Sequence, residues 1–246
     1  MARIALLAVL LVCGTCASAE PDYGREARWA AEITPAIVVG DAVQLETAAG
    51  RRFLGIYVAR PGGDVGIVVV HGIGVHPDWG IVNGLRSGLA ERGYATLSIQ
   101  MPVLAASATA AQYPPLFPEA AKRLEAAVRF MHDRGTRKVA IVAHSLGARM
   151  TDYFVDHAEA PGIVAWVAIG LSGELTGSAK RALPILDIYG EHDLPAVRES
   201  AGARAAALRA VRRSAQVEIA GADHFYTGRE AELLTHVSLF LERALK

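Results

Sequence analysis

The chain has 246 residues, 52% of them apolar and 20% charged, with 25 Lys+Arg against 25 Asp+Glu. That length and apolar share suit one larger α/β domain with a substantial core and exclude a disordered chain. The balanced charge, without any basic run, excludes nucleic acid as an electrostatic partner.

The chain opens on "MARIALLAVLLVCGTCASAE". Arg3, an apolar run from Ile4 to Val12 and the close Ala17-Ser18-Ala19 make the three-part plan of a secretory signal peptide cut before Glu20. The run is shorter than the roughly 20 residues a bilayer span needs, so no stable membrane span is expected after cleavage. The mature chain is expected to be exported, periplasmic or secreted. Cleavage would also remove Cys13 and Cys16, the only two cysteines. That would leave no disulfide, no thiol nucleophile and no cysteine metal site. The expected organisation is a signal peptide over 1–19, a polar lead-in over 20–35, irregular or partly helical, and a single domain over 36–246.

From Ala36 two strand-like runs, Ala36–Ala48 and Arg51–Gly63, read as an antiparallel pair. Strand and helix then alternate. Strands are expected at Val65–His71, Tyr94–Met101, Lys138–Ala143, Ile163–Ile169, Leu183–Tyr189 and Ala215–Ala220. Helices are expected at Asn83–Gly93, Leu116–Gly135, Leu146–Ala158, Ala196–Ala210 and Gly228–Leu245. This grammar implies a mostly parallel sheet with helices on both faces behind an antiparallel N-terminal pair. Pro102–Pro115 is the one long connection without clear structure and a candidate lid or pocket edge. Gly170–Ala182 is too short for a large cap domain.

In open α/β sheets ligands bind outside the carboxyl ends of the strands. The runs arriving there are "HGIG", "QMPVL", "HSLG", "GLSGE", "YGEHDLPAV" and "GADHF". Ala143-His144-Ser145-Leu146-Gly147 departs from G-x-S-x-G by one methyl, and by itself the motif is weak. Ser145, Asp193 and His224 follow successive strands in the order Ser, Asp, His.

On these motifs the chain resembles the α/β-hydrolase family from about Ala36 to the C-terminus. The stretch "HPDWGIVNGLRSGLAERGYATLSIQMPVL" also looks like the exported bacterial subgroup DUF3530. The resemblance implies Ser145 as nucleophile, His224 as base, Asp193 as the acid that orients it, and Glu174 as the fallback acid. It implies backbone N–H donors for an oxyanion at Leu146 and at Ile73, with Gly74 the alternative to Ile73. The implied reaction is acyl transfer to water through an acyl-serine, most simply on a small-molecule or polymer-end ester. A thioesterase or peptidase on the same three residues, or a non-catalytic binding protein of this fold, are the alternatives. The sequence sets no oligomeric state.

No cofactor is implied. His71, His76, Asp78 and His192 could share a rim, but no HxH or HExxH spacing supports a metal. His71 is expected to brace the oxyanion loop, and Asp223 to fix its own loop as an Asx residue. Asp187 is expected to pair structurally. His144 is expected to shape the pocket. His71, His144, Met101, Leu104 and Phe225 are possible substrate contacts. Trp79, Tyr113 and Phe117 are further candidates for an apolar lining.

Overall fold

A computed structural model describes residues 20–157, 162–176 and 182–246; the expected signal peptide lies outside them. The strands are β1 (Asp41–Glu46), β2 (Arg52–Val58), β3 (Val65–Val70), β4 (Ala95–Ile99), β5 (Lys138–His144), β6 (Ile163–Ile169), β7 (Ile185–His192) and β8 (Ala215–Asp223). The helices are α1 (Tyr23–Ile33), α2 (Gly80–Glu91), α3 (Phe117–Asp133), α4 (Leu146–His157), α5 (Pro195–Leu208) and α6 (Glu230–Ala244). The strands form one eight-stranded sheet in the order β1-β2-β4-β3-β5-β6-β7-β8. β2 pairs antiparallel with β1 and β4, and the remaining pairs are parallel.

β3 and β6 are apolar throughout because both of their faces are covered. Alternate residues feed two cores. Val68, Val70, Ile141, Ala143 and Trp166 lie on the face packed by α3 and α4. Ile67, Val69, Ala140, Val142 and Val167 lie on the other face, with residues of α2 and α6. Among the described residues, no helix is long and apolar enough to cross a membrane.

Several boundaries differ from the sequence expectation, each for a local reason. The lead-in contains a true helix, α1, started by the Asp22 side chain accepting from the Arg25 N–H at 2.8 Å. β1 begins only at Asp41, because Thr34–Ala36 is a 3-10 turn containing Pro35. The Pro102–Pro115 segment carries short 3-10 turns at Ala110–Gln112 and Pro114–Leu116. β7 and β8 run on to His192 and Asp223, so the acid and histidine turns grow directly out of paired strand.

Candidate active site

Ser145 is the single residue between β5 and α4, and its φ of 56° lies in the left-handed region. A non-glycine residue there costs on the order of 1–2 kcal/mol. The neighbouring structure holds it. The Ser145 N–H donates to the Ile169 carbonyl at 2.7 Å, and its carbonyl accepts from the Ala148 N–H at 2.9 Å. Two residues on, a Cβ on Gly147 would stand 2.3 Å from the His71 carbonyl oxygen, so only glycine lets α4 approach β3. Two residues before, the Ala143 methyl is fully buried in the core.

His224 Nε2 lies 2.8 Å from Ser145 Oγ, and its Nδ1 lies 2.6 Å from Asp193 Oδ1. Asp193 Oδ1 also accepts from the Leu194 N–H at 2.7 Å, and Oδ2 from the Gly190 N–H at 3.2 Å. Burial pushes the Asp193 carboxyl up. The hydrogen bond and charge of His224, with the two backbone donors, outweigh it and hold the pKa below the usual carboxylate value. The strand register brings acid and base together. β7 advances from Gly190 to His192 while β8 advances from Ile219 to Asp223, a bulge that carries His224 out over Asp193. Gly170, with φ 59°, closes the other side; a Cβ there would lie 2.9 Å from His224 Cε1.

Two further histidines are buried and neutral. His144 Nε2 sits 2.9 Å from the His224 carbonyl oxygen, so it carries the proton and donates. Burial first, then the charge of His224, lower its pKa to about 4. It therefore holds the backbone of the histidine loop, and its ring also reaches the pocket wall. His71 Nδ1 donates to the Gly72 carbonyl at 2.8 Å, and Nε2 accepts from the Met101 N–H at 2.9 Å. Burial lowers its pKa to about 3.

Leu146 is the first residue of α4, so its N–H is among those a helix start leaves without an intrahelical partner. The Ile73 N–H lies on the facing loop after β3. An N–H pair of this kind beside a serine hydroxyl can receive the charge of a tetrahedral oxygen.

The cavity in front of Ser145 has a volume of about 730 Å³. Trp79, Phe117 and Phe225 line it, together with Pro114 from the expected edge segment and with Ile73 and Leu194, which sequence reasoning had not placed in a lining. Met101 and Leu104 do not line it and correct the expectation for those positions. They are 1% and 7% exposed and belong to the core, because the chain after β4 is drawn inward by the hydrogen bond to His71. Tyr113 is likewise core, its hydroxyl oxygen accepting from the Leu104 N–H at 3.1 Å. His71 stands behind the loop and not on the cavity wall.

Glu174 is exposed in a hollow that adjoins the Ser145 cavity across Phe117, Arg149 and Ser172, whereas the acid hydrogen-bonded to His224 is Asp193. Asp187 pairs with the buried Arg204 at 2.8 Å. Asp223 Oδ1 accepts from the Phe225 and Thr227 N–H groups. Asp78 pairs with Arg86, and His76 packs edge-on against Trp29. Among the described residues, no group of three or more His, Cys, Asp or Glu is placed to hold a metal ion. Sequence reasoning missed Arg149 and Ser172 on the cavity wall. Arg149 was findable, because it lies one helical turn beyond Ser145.

Residues 15–119 match the model of a family described as a protein of unknown function, DUF3530. No curated protein matches the sequence. Solved structures share the fold. The Pyrococcus furiosus esterase Pf2001 is 14% identical, with 84% of this chain and 93% of that chain covered and a TM-score of 0.67. XC6422 from Xanthomonas campestris, a member of the a/b serine hydrolases without lid, is 16% identical, with 84% and 95% covered and a TM-score of 0.63. Dienelactone hydrolase from Anabaena variabilis is 19% identical, with 83% and 97% covered and a TM-score of 0.65. The chain has the α/β-hydrolase fold, with a DUF3530-like segment over residues 15–119.

Proposed function

We propose that the protein is an exported serine hydrolase that cleaves carboxylic esters through an acyl-serine intermediate. The observation that carries this reading is the unbroken hydrogen-bonded line from Asp193 through His224 to Ser145, at 2.6 and 2.8 Å, opening on an apolar cavity. A serine hydroxyl is a weak nucleophile until an adjacent base takes its proton. As Oγ bonds to the ester carbonyl carbon, His224 Nε2 accepts that proton and the Asp193 carboxylate stabilises the imidazolium. The Leu146 and Ile73 N–H groups donate to the carbonyl oxygen as it becomes negative. Collapse breaks the bond to the alcohol oxygen, which leaves with the proton from His224. Water then attacks the acyl carbon as His224 takes its proton; collapse breaks the bond to Ser145 Oγ, which regains that proton from His224, and the carboxylic acid leaves.

The test is covalent labelling by a fluorophosphonate followed by turnover of p-nitrophenyl esters, thioesters and peptides. Labelling of the wild type, abolished in Ser145→Ala, with ester turnover exceeding the other two classes, is the expected result. A folded chain that resists the probe would sink the enzyme reading and leave a binding protein of this fold. Labelling with preferred thioester or peptide turnover would replace the esterase assignment. For the signal peptide and the export that follows from it, the mature N-terminus should be Glu20. A soluble cytosolic chain still bearing Met1 would overturn that part.

A further inference from the structure

The loop expected to meet the oxyanion is His71-Gly72-Ile73-Gly74, in which Ile73 stands between two glycines. Glycine backbone is the freest of all, so such a loop does not hold an N–H in place by itself. Two side-chain donors hold it, one from its own first residue and one from outside the loop. His71 Nδ1 donates to the Gly72 carbonyl at 2.8 Å. The peptide is planar and trans, so fixing that carbonyl points the Ile73 N–H the opposite way. On the far side of Ile73, the Gly74 carbonyl accepts from Arg25 Nη2 at 3.0 Å.

Arg25 comes from α1, ahead of the sheet. Its Nη1 donates to the Leu104 carbonyl at 2.8 Å, so one guanidinium ties together the loops after β3 and β4. Its plane is set by the Trp29 ring at 4.4 Å, and Trp29 in turn packs against His76. The helix itself is docked by other groups. The Asp22 N–H donates to the Val103 carbonyl, and buried Glu26 accepts from the Val103 N–H and pairs with Arg123 at 2.8 Å. Anchoring of α1 therefore does not depend on Arg25, whose fork is directed at two carbonyls in fixed geometry.

We propose that Arg25 is a positioning residue for the oxyanion side of the site, clamping the Gly74 carbonyl so that the Ile73 N–H stays aimed at the position of the developing charge. The inference rests on the reading of Ser145 as nucleophile. Its consequence is that a helix outside the sheet contributes to the chemical step without touching substrate. The gain comes from preorganisation, since donors fixed before reaction need no rearrangement during it.

The experiment compares wild type with Arg25→Ala, Arg25→Lys and Arg28→Ala, the last an exposed arginine of the same helix. Fluorophosphonate labelling rates and, where esters are turned over, kcat and KM are taken per folded molecule by circular dichroism. Arg25→Ala should slow labelling and lower kcat by about tenfold or more, short of the roughly 10²–10³ seen when a donor is removed outright. KM should stay within about twofold, and Arg28→Ala should match the wild type. Lysine keeps the charge but cannot span both carbonyls, so Arg25→Lys should also fall and gives a conservative second variant. If either folded Arg25 variant labels within about threefold of wild type, or if its loss lies in KM alone, the inference is overturned. A wild type that is not labelled at all overturns the reading of Ser145 and this inference with it. A labelled wild type with unaffected Arg25 variants overturns this inference alone.

Discussion

The Asp193 carboxylate and the His224 imidazole meet at 2.6 Å, and two backbone N–H groups, from Leu194 and Gly190, also donate to the carboxylate, one to each oxygen. The acid is therefore fixed in orientation before any substrate arrives. Its net lowered pKa, in which the histidine and the two amides outweigh burial, keeps it ionised through the neutral range.

Asp193→Asn should leave the fold intact and lower kcat by about 10³–10⁴, because an amide no longer enforces the Nδ1–H tautomer or balances an imidazolium. Glu174→Gln should stay within about twofold of the wild type, since Glu174 is exposed and does not reach His224. Steady-state kinetics of the two variants checks both. The reverse ranking would reassign the acid.

The serine turn offers a paired stability test. Gly147→Ala drives a methyl onto the His71 carbonyl oxygen, which is backbone and cannot swing away. A loss of about 3 kcal/mol or more is expected. Ala143→Gly removes a methyl buried in the core and frees a strand backbone, for a loss of about 1 kcal/mol without an activity change beyond twofold. Urea unfolding midpoints separate the two; equal losses would mean that the close approach at Gly147 is not limiting.

His71 and His144 should make the fold acid-sensitive above the range of its carboxylates. Both pKa values are lowered by burial, to about 3 and about 4, from an unfolded value near 6.5. Between the folded and unfolded values the unfolded chain binds protons that the folded chain does not, so stability falls as pH falls. The loss begins near pH 6.5 and reaches on the order of 3 kcal/mol for each histidine by pH 4. Asp193, with its lowered value, adds its own loss only below about pH 4. Unfolding curves at pH 7 and pH 4.5 should show the drop, and His144→Asn should flatten it. An unchanged slope in that variant would remove His144 from the account.

Acyl-chain preference should follow the cavity. Each methylene buried against Trp79, Phe117 and Phe225 is worth about 0.8 kcal/mol, or close to fourfold in kcat/KM, until the space fills. A series of p-nitrophenyl esters should therefore rise with chain length and then level off. Ala111→Phe, on the cavity wall, should move the plateau to shorter chains. A profile flat from acetate onward would mean that the acyl group lies elsewhere.

The sheet was legible because strands buried on both faces need continuous apolar runs, as in Val65–Val70 and Lys138–Ala143. The residues that meet at the site were legible as a set because each lies in a small-residue or charged break after such a run. What could not be read are relationships between distant segments. Nothing local to Met101 or Leu104 says that His71 draws that chain inward, so two core residues looked like pocket candidates. Nothing near Arg25 points to carbonyls at positions 74 and 104. Likewise the bond from His144 to the His224 carbonyl spans 80 residues of sequence. Helix α1 was half-visible: Asp22 is a good cap and Tyr23, Trp29 and Ile33 are apolar, but nothing in the segment says which distant residues it covers.

The bulge between β7 and β8 makes the meeting of acid and base a matter of counting residues. Side chains along a strand change face with every residue, so the span from Ile219 to Asp223 works only at its present parity. Removing Gly221 alone would turn His224 away from Asp193, and would shift the buried Ala222 and Tyr226 of the second core with it, giving a destabilised chain that a fluorophosphonate no longer labels. This short stretch thus tolerates substitution of what it displays far better than any change in its length, and insertions or deletions there should come in twos.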